Sequence, residues 1–359
     1  LNKRAIRPVL TGHLPAGLLC LLLMFVSALQ VVHANFADQF EQNQPPIDDA
    51  PKPRDIIYPD WFKSSFLNLT EDLQEAIASG KQGIVLYFGQ KNCAYCEALM
   101  ERNFGKTDIA EYTRRHFDVI PLDIWGSREV IDLQGNTLSE RDLAIREQTN
   151  FTPSLLFFDK DGRLALKMRG YYPPYKFRAA LEYVVDGHYR NGRYRDYLLR
   201  ADPPAKFEIA DLNERAFFQK PPYALDRSRF PARNPLVVFF EQRECHACDV
   251  LHSEPLEDPD VLLRLSEFDT VQLDIWSDTP VLTPHGKRMT AQEWAHELGL
   301  FYAPTLVFFD ESGKEVFRVD SVVRLHRLRH VLDYVLTKAY LDSDYQTWAR
   351  QERVKELDQ

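Results

Sequence analysis

The sequence predicts an α/β chain made of two tandem copies of one domain, each a central mixed β-sheet flanked by helices. Three observations carry this prediction. Short apolar runs alternate with amphipathic stretches of helical length. The order of elements then begins again: "LVVFFEQREC" falls under "IVLYFGQKNC" at an offset of 152 residues, and "APTLVFFDESG" falls under "TPSLLFFDKDG" at an offset of 151. In both copies a Cys-x-x-Cys pair stands between a strand pattern and a helix pattern, and "LDIW" follows at 122–125 and again at 273–276.

Taken in order, Lys3, Arg4 and Arg7 precede the apolar segment "LPAGLLCLLLMFVSALQVV", and Val32, His33 and Ala34 form a small-residue cleavage pattern. Residues 1–34 are therefore expected to be an export signal that carries Cys20 away with it. A cut after Ala28 and an uncleaved anchor are the alternatives. Each places the body outside the cytoplasm, and the expected compartment is the periplasm. Residues 35–65 are polar and proline-rich and read as an extended lead-in.

The first domain, 66–190, opens with "LTEDLQEAIASGKQG", a helix with Asn68 or Thr70 as N-cap, Leu73, Ala76 and Ile77 on one face and Gly80 as its stop. A strand at 84–88, a helix over about 94–115, a strand at 117–125, a loop and a helix at 138–149 follow. Strands at 154–158 and 163–168 are joined by the tight turn "DKDG", so that edge is expected to be antiparallel. A helix at 175–186 closes the domain. The stretch 191–233, with "DPPAKF", "KPPYAL" and "FPARNP", reads as a spacer, 234–345 as the second domain and 346–359 as a tail.

Apolar residues make up 45% of the 359, which excludes a disordered chain. The net charge of −9, without a basic run interleaved with aromatics, argues against nucleic acid as a partner. Of the five cysteines, four lie in the two pairs, and none is spaced as a staple of the fold.

Each pair can be read as a redox dithiol, as half of a zinc site or as inert core thiols. Zinc ribbons usually separate their two pairs by about 15–20 residues, far less than the gap here. At the start of a helix, unpaired amides and the positive end of the dipole favour a thiolate at the first cysteine. The second cysteine, one turn on, can displace the resulting mixed disulfide. Cys93 and Cys245 are therefore the expected nucleophiles and Cys96 and Cys248 the resolving thiols.

The motifs "C-x-Y-C", "LDIWG", "LSER", "FTPSLLFFDKDGR" and "GYYPP" resemble those of thioredoxin-fold domains, and in particular periplasmic thioredoxin-like proteins associated with sulfur oxidation. The resemblance covers 82–191, with a more divergent copy over 234–341. It implies that Pro153 and Pro304 are cis-prolines facing the cysteine pairs. The backbone of Thr152 or Ala303 would then pair with an extended substrate segment. Gly170 resembles the glycine beside the substrate groove; Ser321 replaces it in the second copy, which suggests different recognition there. The family's tryptophan before the first cysteine is replaced by Asn92 and Glu244, and its buried acid by Tyr87 and Phe239. Glu241 is a substitute acid in the second copy. Tyr95 and His246, inside the pairs, are candidate tuning residues; a protonated His246 would stabilise the Cys245 thiolate, while Glu244 would oppose it. Trp125 and Trp276 are packing or groove residues, and Asp123 and Asp274 are expected to fix the turns that follow them.

The expected function is a thiol:disulfide oxidoreductase that reduces protein disulfides, without cofactor or metal. Its expected partners are disulfide-bearing proteins and a membrane-embedded thiol reductant, with membrane contact only if the N-terminal segment stays attached. Direction depends on redox poise and not on the motif, so an oxidase or isomerase is the alternative. A second alternative makes the second domain a non-catalytic binding or scaffold module.

Overall fold

The computed structural model describes residues 46–201, 212–243 and 245–357. The signal reading, Cys20, the first part of the lead-in, "DPPAKF" and Glu244 lie outside the described residues.

In the first repeat the strands β1 (Gly83–Gly89), β2 (Phe117–Asp123), β5 (Ser154–Asp159) and β6 (Leu164–Arg169) form one sheet in the order β2-β1-β5-β6. β1 runs parallel to β2 and antiparallel to β5, and β5 antiparallel to β6. β1 reads as an unbroken apolar run because both its faces are buried: Val85 and Tyr87 enter one core cluster, Ile84, Leu86 and Phe88 the other. Helix α1 (Leu69–Ala78) starts at Asn68, whose side chain accepts the Glu71 amide. It buries Leu69, Leu73 and Ala76, whereas Ile77, expected on that face, is 40% exposed.

The helix expected over 94–115 is interrupted. It comprises α2 (Ala94–Ala98), a π-turn (Leu99–Asn103) and α3 (Thr107–His116). Asn103 is fully buried and donates to the Tyr172 carbonyl, and a Cβ at Gly105 would lie 2.0 Å from the Glu101 carbonyl oxygen, so the chain turns between the two helices. The stretch read as a loop contains a hairpin of β3 (Glu129–Ile131) and β4 (Thr137–Ser139), followed by α4 (Glu140–Arg146). Helix α5 (Pro174–Val185) closes the sheet, and α6 (Tyr194–Ala201) occupies the start of the expected spacer.

The second repeat has the same sheet, β9-β8-β12-β13, from β8 (Leu236–Glu241), β9 (Asp269–Asp274), β12 (Thr305–Phe309) and β13 (Glu315–Val319). Around it lie α7 (His246–Ser253), α8 (Pro259–Leu265), α9 (Ala291–Glu297) and α10 (Leu325–Leu336). β10 (Pro280–Leu282) and β11 (Arg288–Thr290) repeat the hairpin, and β7 (Tyr223–Ala224) adds a parallel strand to it. Residues 346–357 of the stretch read as a tail, together with Tyr345, form α11 (Tyr345–Leu357), the counterpart of α6.

Two segments read as connectors pack as parts of the domains. Trp61 and Phe62 lie against the first core, and the Lys63 amide bonds to Val119 of β2. In the same way Phe218 is buried against Phe239, and the Gln219 amide bonds to Thr270 of β9. Among the described residues the second repeat has no counterpart of α1. Its place is taken by Arg227, buried and donating to the Asn234 carbonyl, the Asp310 carbonyl and the Asp269 carboxylate.

Candidate functional site

Both cysteine pairs are closed as disulfides, Cys93–Cys96 and Cys245–Cys248. In each, the first cysteine is the N-cap of the following helix. Cys93 Sγ accepts the Cys96 amide at 3.0 Å, and Cys245 Sγ accepts the Cys248 amide at 3.1 Å. A helix-terminal amide aimed at sulfur favours the thiolate once the disulfide is opened. The first cysteines are 6% and 7% exposed, the second 0% and 1%, so within each pair the N-capping cysteine is the more accessible residue. Among the described residues no group of three His, Cys, Asp or Glu is placed to hold a metal, and the four pair cysteines do not converge on one.

The Thr152–Pro153 and Ala303–Pro304 peptide bonds are both cis. Thr152 Oγ1 lies 3.3 Å from Cys93 Sγ, and the Ala303 carbonyl oxygen lies 3.6 Å from Cys245 Sγ, so these segments face the cysteine pairs. Around Thr152 the sequence reading missed a chain of donors. Trp125 Nε1 donates to Gln90 Oε1 at 2.8 Å, which fixes the amide orientation. Gln90 Nε2 then donates to Thr152 Oγ1 at 2.8 Å, leaving the threonine proton to point at Cys93 Sγ. The second repeat keeps the first link, Trp276 Nε1 to Gln242 Oε1 at 3.2 Å, but Ala303 has no hydroxyl to continue it. The recurrence of Gln90 as Gln242, three residues before each pair, was the available sequence signal. Asp123 and Asp274 accept the amides of Trp125 and Trp276 and so hold the turns that present both indoles.

Tyr95 is buried in the contact between repeats. Its hydroxyl donates to Asp49 Oδ2 at 3.1 Å, and the Arg327 guanidinium lies 3.6 Å from its ring centre. Burial, with Asp49 beside it, pushes its phenol well above the ordinary range. His246 is half-buried at the first position of α7.

Glu241 is fully buried and both its oxygens are engaged. His252 Nε2 lies 2.9 and 3.1 Å from them, and Gln272 Nε2 donates to Oε2 at 2.9 Å. Arg215 Nε donates to His252 Nδ1, which assigns the ring proton to Nε2, facing Glu241. At the equivalent place in the first repeat stands Gly89, where a Cβ would lie 2.5 Å from the Tyr87 hydroxyl. The exchange of Gly170 for Ser321 has a packing cause. The two residues abut: a Cβ at Gly170 would lie 2.0 Å from Ser321 Oγ, and Gly170 itself adopts φ 93°, a conformation that favours glycine.

The contact between the repeats is reciprocal. From α11, Arg350 lies over the Trp125 ring at 4.7 Å; from α6, Arg195 lies over the Trp276 ring at 5.3 Å. Arg193 also donates to the His296 carbonyl at 2.9 Å.

A model of the thioredoxin-like domain matches residues 69–185 and 230–336. Among solved structures, a thioredoxin-fold protein from Helicobacter pylori is 25% identical with a TM-score of 0.33, over 40% of this chain and 87% of its own. The C-terminal domain of DsbD from Neisseria meningitidis, in the reduced form, is 19% identical with a TM-score of 0.23, over 29% of this chain and 83% of its own. A disulphide isomerase from Xylella fastidiosa Temecula1 is 15% identical with a TM-score of 0.24, over 38% and 93%. Among curated proteins, none matches the chain. The two family matches together span more than half of the sequence, and the chain belongs to the thioredoxin-like domain family as a tandem of two such domains.

Proposed function

We propose that the chain is a thiol:disulfide oxidoreductase acting on protein disulfides through both cysteine pairs. The observation that carries this is the placement of Cys93 and Cys245 as helix N-caps, each facing a cis-proline segment. In the reduced enzyme the Cys93 thiolate attacks one sulfur of a substrate disulfide. A mixed disulfide forms, the substrate S–S bond breaks, and the departing thiolate takes a proton from water. Cys96, having lost its proton to water, attacks Cys93 Sγ. The Cys93–Cys96 bond forms as the second substrate thiolate leaves. Two electrons and two protons have then passed from the dithiol to the substrate. Cys245 and Cys248 act in the same order in the second repeat.

The direction we favour is reduction of substrates, with electrons supplied by a membrane-embedded dithiol in the periplasm. The export-signal pattern and the resemblance to periplasmic reducing proteins support this reading. Among the described residues no helix is long and apolar enough to cross a membrane. Insulin reduction driven by dithiothreitol tests the activity. The wild-type chain is expected to turn over, and the Cys93→Ser/Cys245→Ser chain to be inert. Equal activity in the two would remove the reading.

A further inference from the structure

The face of the first repeat that carries Cys93 is covered by residues from elsewhere in the chain. Arg327, on α10 of the second repeat, donates from Nη2 to the Thr152 carbonyl at 3.1 Å. Its guanidinium lies between two aromatic faces, 3.6 Å from the centre of Tyr95 and 4.7 Å from that of Phe151. Asp49 fixes the start of the same helix: its carboxylate accepts the Arg327 amide at 3.0 Å and the Tyr95 hydroxyl at 3.1 Å. Beside this latch, Gln346 of α11 donates to the Asn150 carbonyl at 2.6 Å, and Ser321 abuts Gly170. Thr152 is left 2% exposed.

An extended substrate segment recognised by strand-like pairing needs the backbone next to the cis-proline. On the first repeat the acceptor there, the Thr152 carbonyl, is already held by a charge-assisted hydrogen bond from Arg327. We infer that Arg327 is a specificity-determining latch: it restricts Cys93 to small disulfides and to protein segments able to displace the second repeat from the Thr152–Gly170 face. The inference rests on the exchange chemistry proposed above. At the repeat-equivalent position stands Lys176, whose ammonium lies 5.5 Å from the Tyr302 ring centre. A compact ammonium cannot reproduce the planar stacking and forked donation of Arg327, so the latch belongs to the first pair.

The test uses the full chain with Cys245→Ser and Cys248→Ser, so that only the first pair turns over. Rates are measured with insulin and with the small disulfide 5,5′-dithiobis(2-nitrobenzoate), with and without Arg327→Ala. Loss of one charge-assisted hydrogen bond corresponds to an increase of about tenfold in insulin turnover, and the small-disulfide rate is expected to stay nearly unchanged. Equal insulin rates with and without Arg327, or a parallel rise for both substrates, overturns the latch. If Arg327→Ala loses its cooperative melt, Asp49→Ala, which removes the acceptor of the Arg327 amide and of the Tyr95 hydroxyl and leaves the guanidinium in place, carries the same comparison: an unchanged insulin rate is then the contrary result. A parent chain inactive on both disulfides overturns the exchange chemistry itself, and the latch with it.

Discussion

The two cysteine pairs share a backbone and differ in the side chains around it. Cys93 and Cys245 each cap a helix, each receives an amide from its partner cysteine, and each faces a cis-proline segment. Around this shared device, Thr152 becomes Ala303, Tyr95 becomes Ala247, and Gly89 becomes Glu241. The device depends on helix geometry and backbone amides, so it survives duplication of the chain with little dependence on neighbours. The tuning groups depend on individual side chains and have diverged. The first pair has a hydroxyl aimed at its sulfur through the Trp125–Gln90–Thr152 chain, whereas the second repeat carries a buried acid locked to a histidine.

The largest expected effect breaks the comparison at Glu241. Removing one partner from a buried, hydrogen-bonded pair leaves the other unsatisfied, so Glu241→Ala is expected to cost about 2 kcal/mol. Urea denaturation should place that loss in the transition of the second repeat alone. A loss below about 1 kcal/mol, the scale of an exposed pair, would show that the Glu241–His252 contact is not what holds this end of β8.

Next is the hydroxyl at Thr152. A hydrogen bond to a thiolate is worth about 1.4 kcal/mol, or about 30 mV for a two-electron couple. Thr152 stabilises the reduced first pair, so Thr152→Ala should move its potential to a more negative value by about that amount, and Thr152→Ser should not. Ala303→Thr should move the second pair the opposite way. Gln90→Leu should shift the first pair in the direction of Thr152→Ala but by less. Glutathione-equilibrium titration of each pair, with the other pair replaced by serine, reads all four; a first pair indifferent to Thr152 would leave its difference from the second pair to His246.

The smallest effect separates the two hairpins in acid. Burial alone would raise the Asp132 carboxyl, but donation from the Arg146 guanidinium, from the Asn136 side chain and amide, and from the Gln134 amide overcomes this and lowers it to about 2. The equivalent residue in the second hairpin is the neutral Thr283. A depressed folded pKa gives stability that is present above the unfolded value of 3.8 and is lost as pH falls from there towards 2. Asp132 is buried but its partner Arg146 is 38% exposed, and with allowance for solvent screening of that guanidinium the contribution is about 1 kcal/mol. Melting temperatures between pH 5 and pH 2 should therefore fall further for the wild type than for Asp132→Asn. Identical slopes would contradict the assignment.

Much of this architecture was legible in the sequence because it is local. Strands β1 and β8 read as continuous apolar runs because both their faces are buried, and the cysteine pairs could be placed at helix starts from the change of period alone. The break between α2 and α3 was not legible, because it depends on Asn103 reaching the Tyr172 carbonyl. Nor was the packing of the lead-in, where Arg54 is buried and donates to Glu97 and to the Ala50 and Asp48 carbonyls. Arg327 was the least legible residue: on the sequence it is one of several cations on an amphipathic helix, and only the docking of the repeats brings it to Thr152.

The central claim is that the N-capping cysteine of each pair is the attacking sulfur. Reduced single-cysteine variants of the first pair test it directly, by the rate at which glutathione disulfide adds to the remaining cysteine, read by mass spectrometry of the digested chain. The account predicts rapid addition at Cys93 in Cys96→Ser and almost none at the fully buried Cys96 in Cys93→Ser, with the same asymmetry between Cys245 and Cys248. Faster addition at Cys96 or at Cys248 would contradict it.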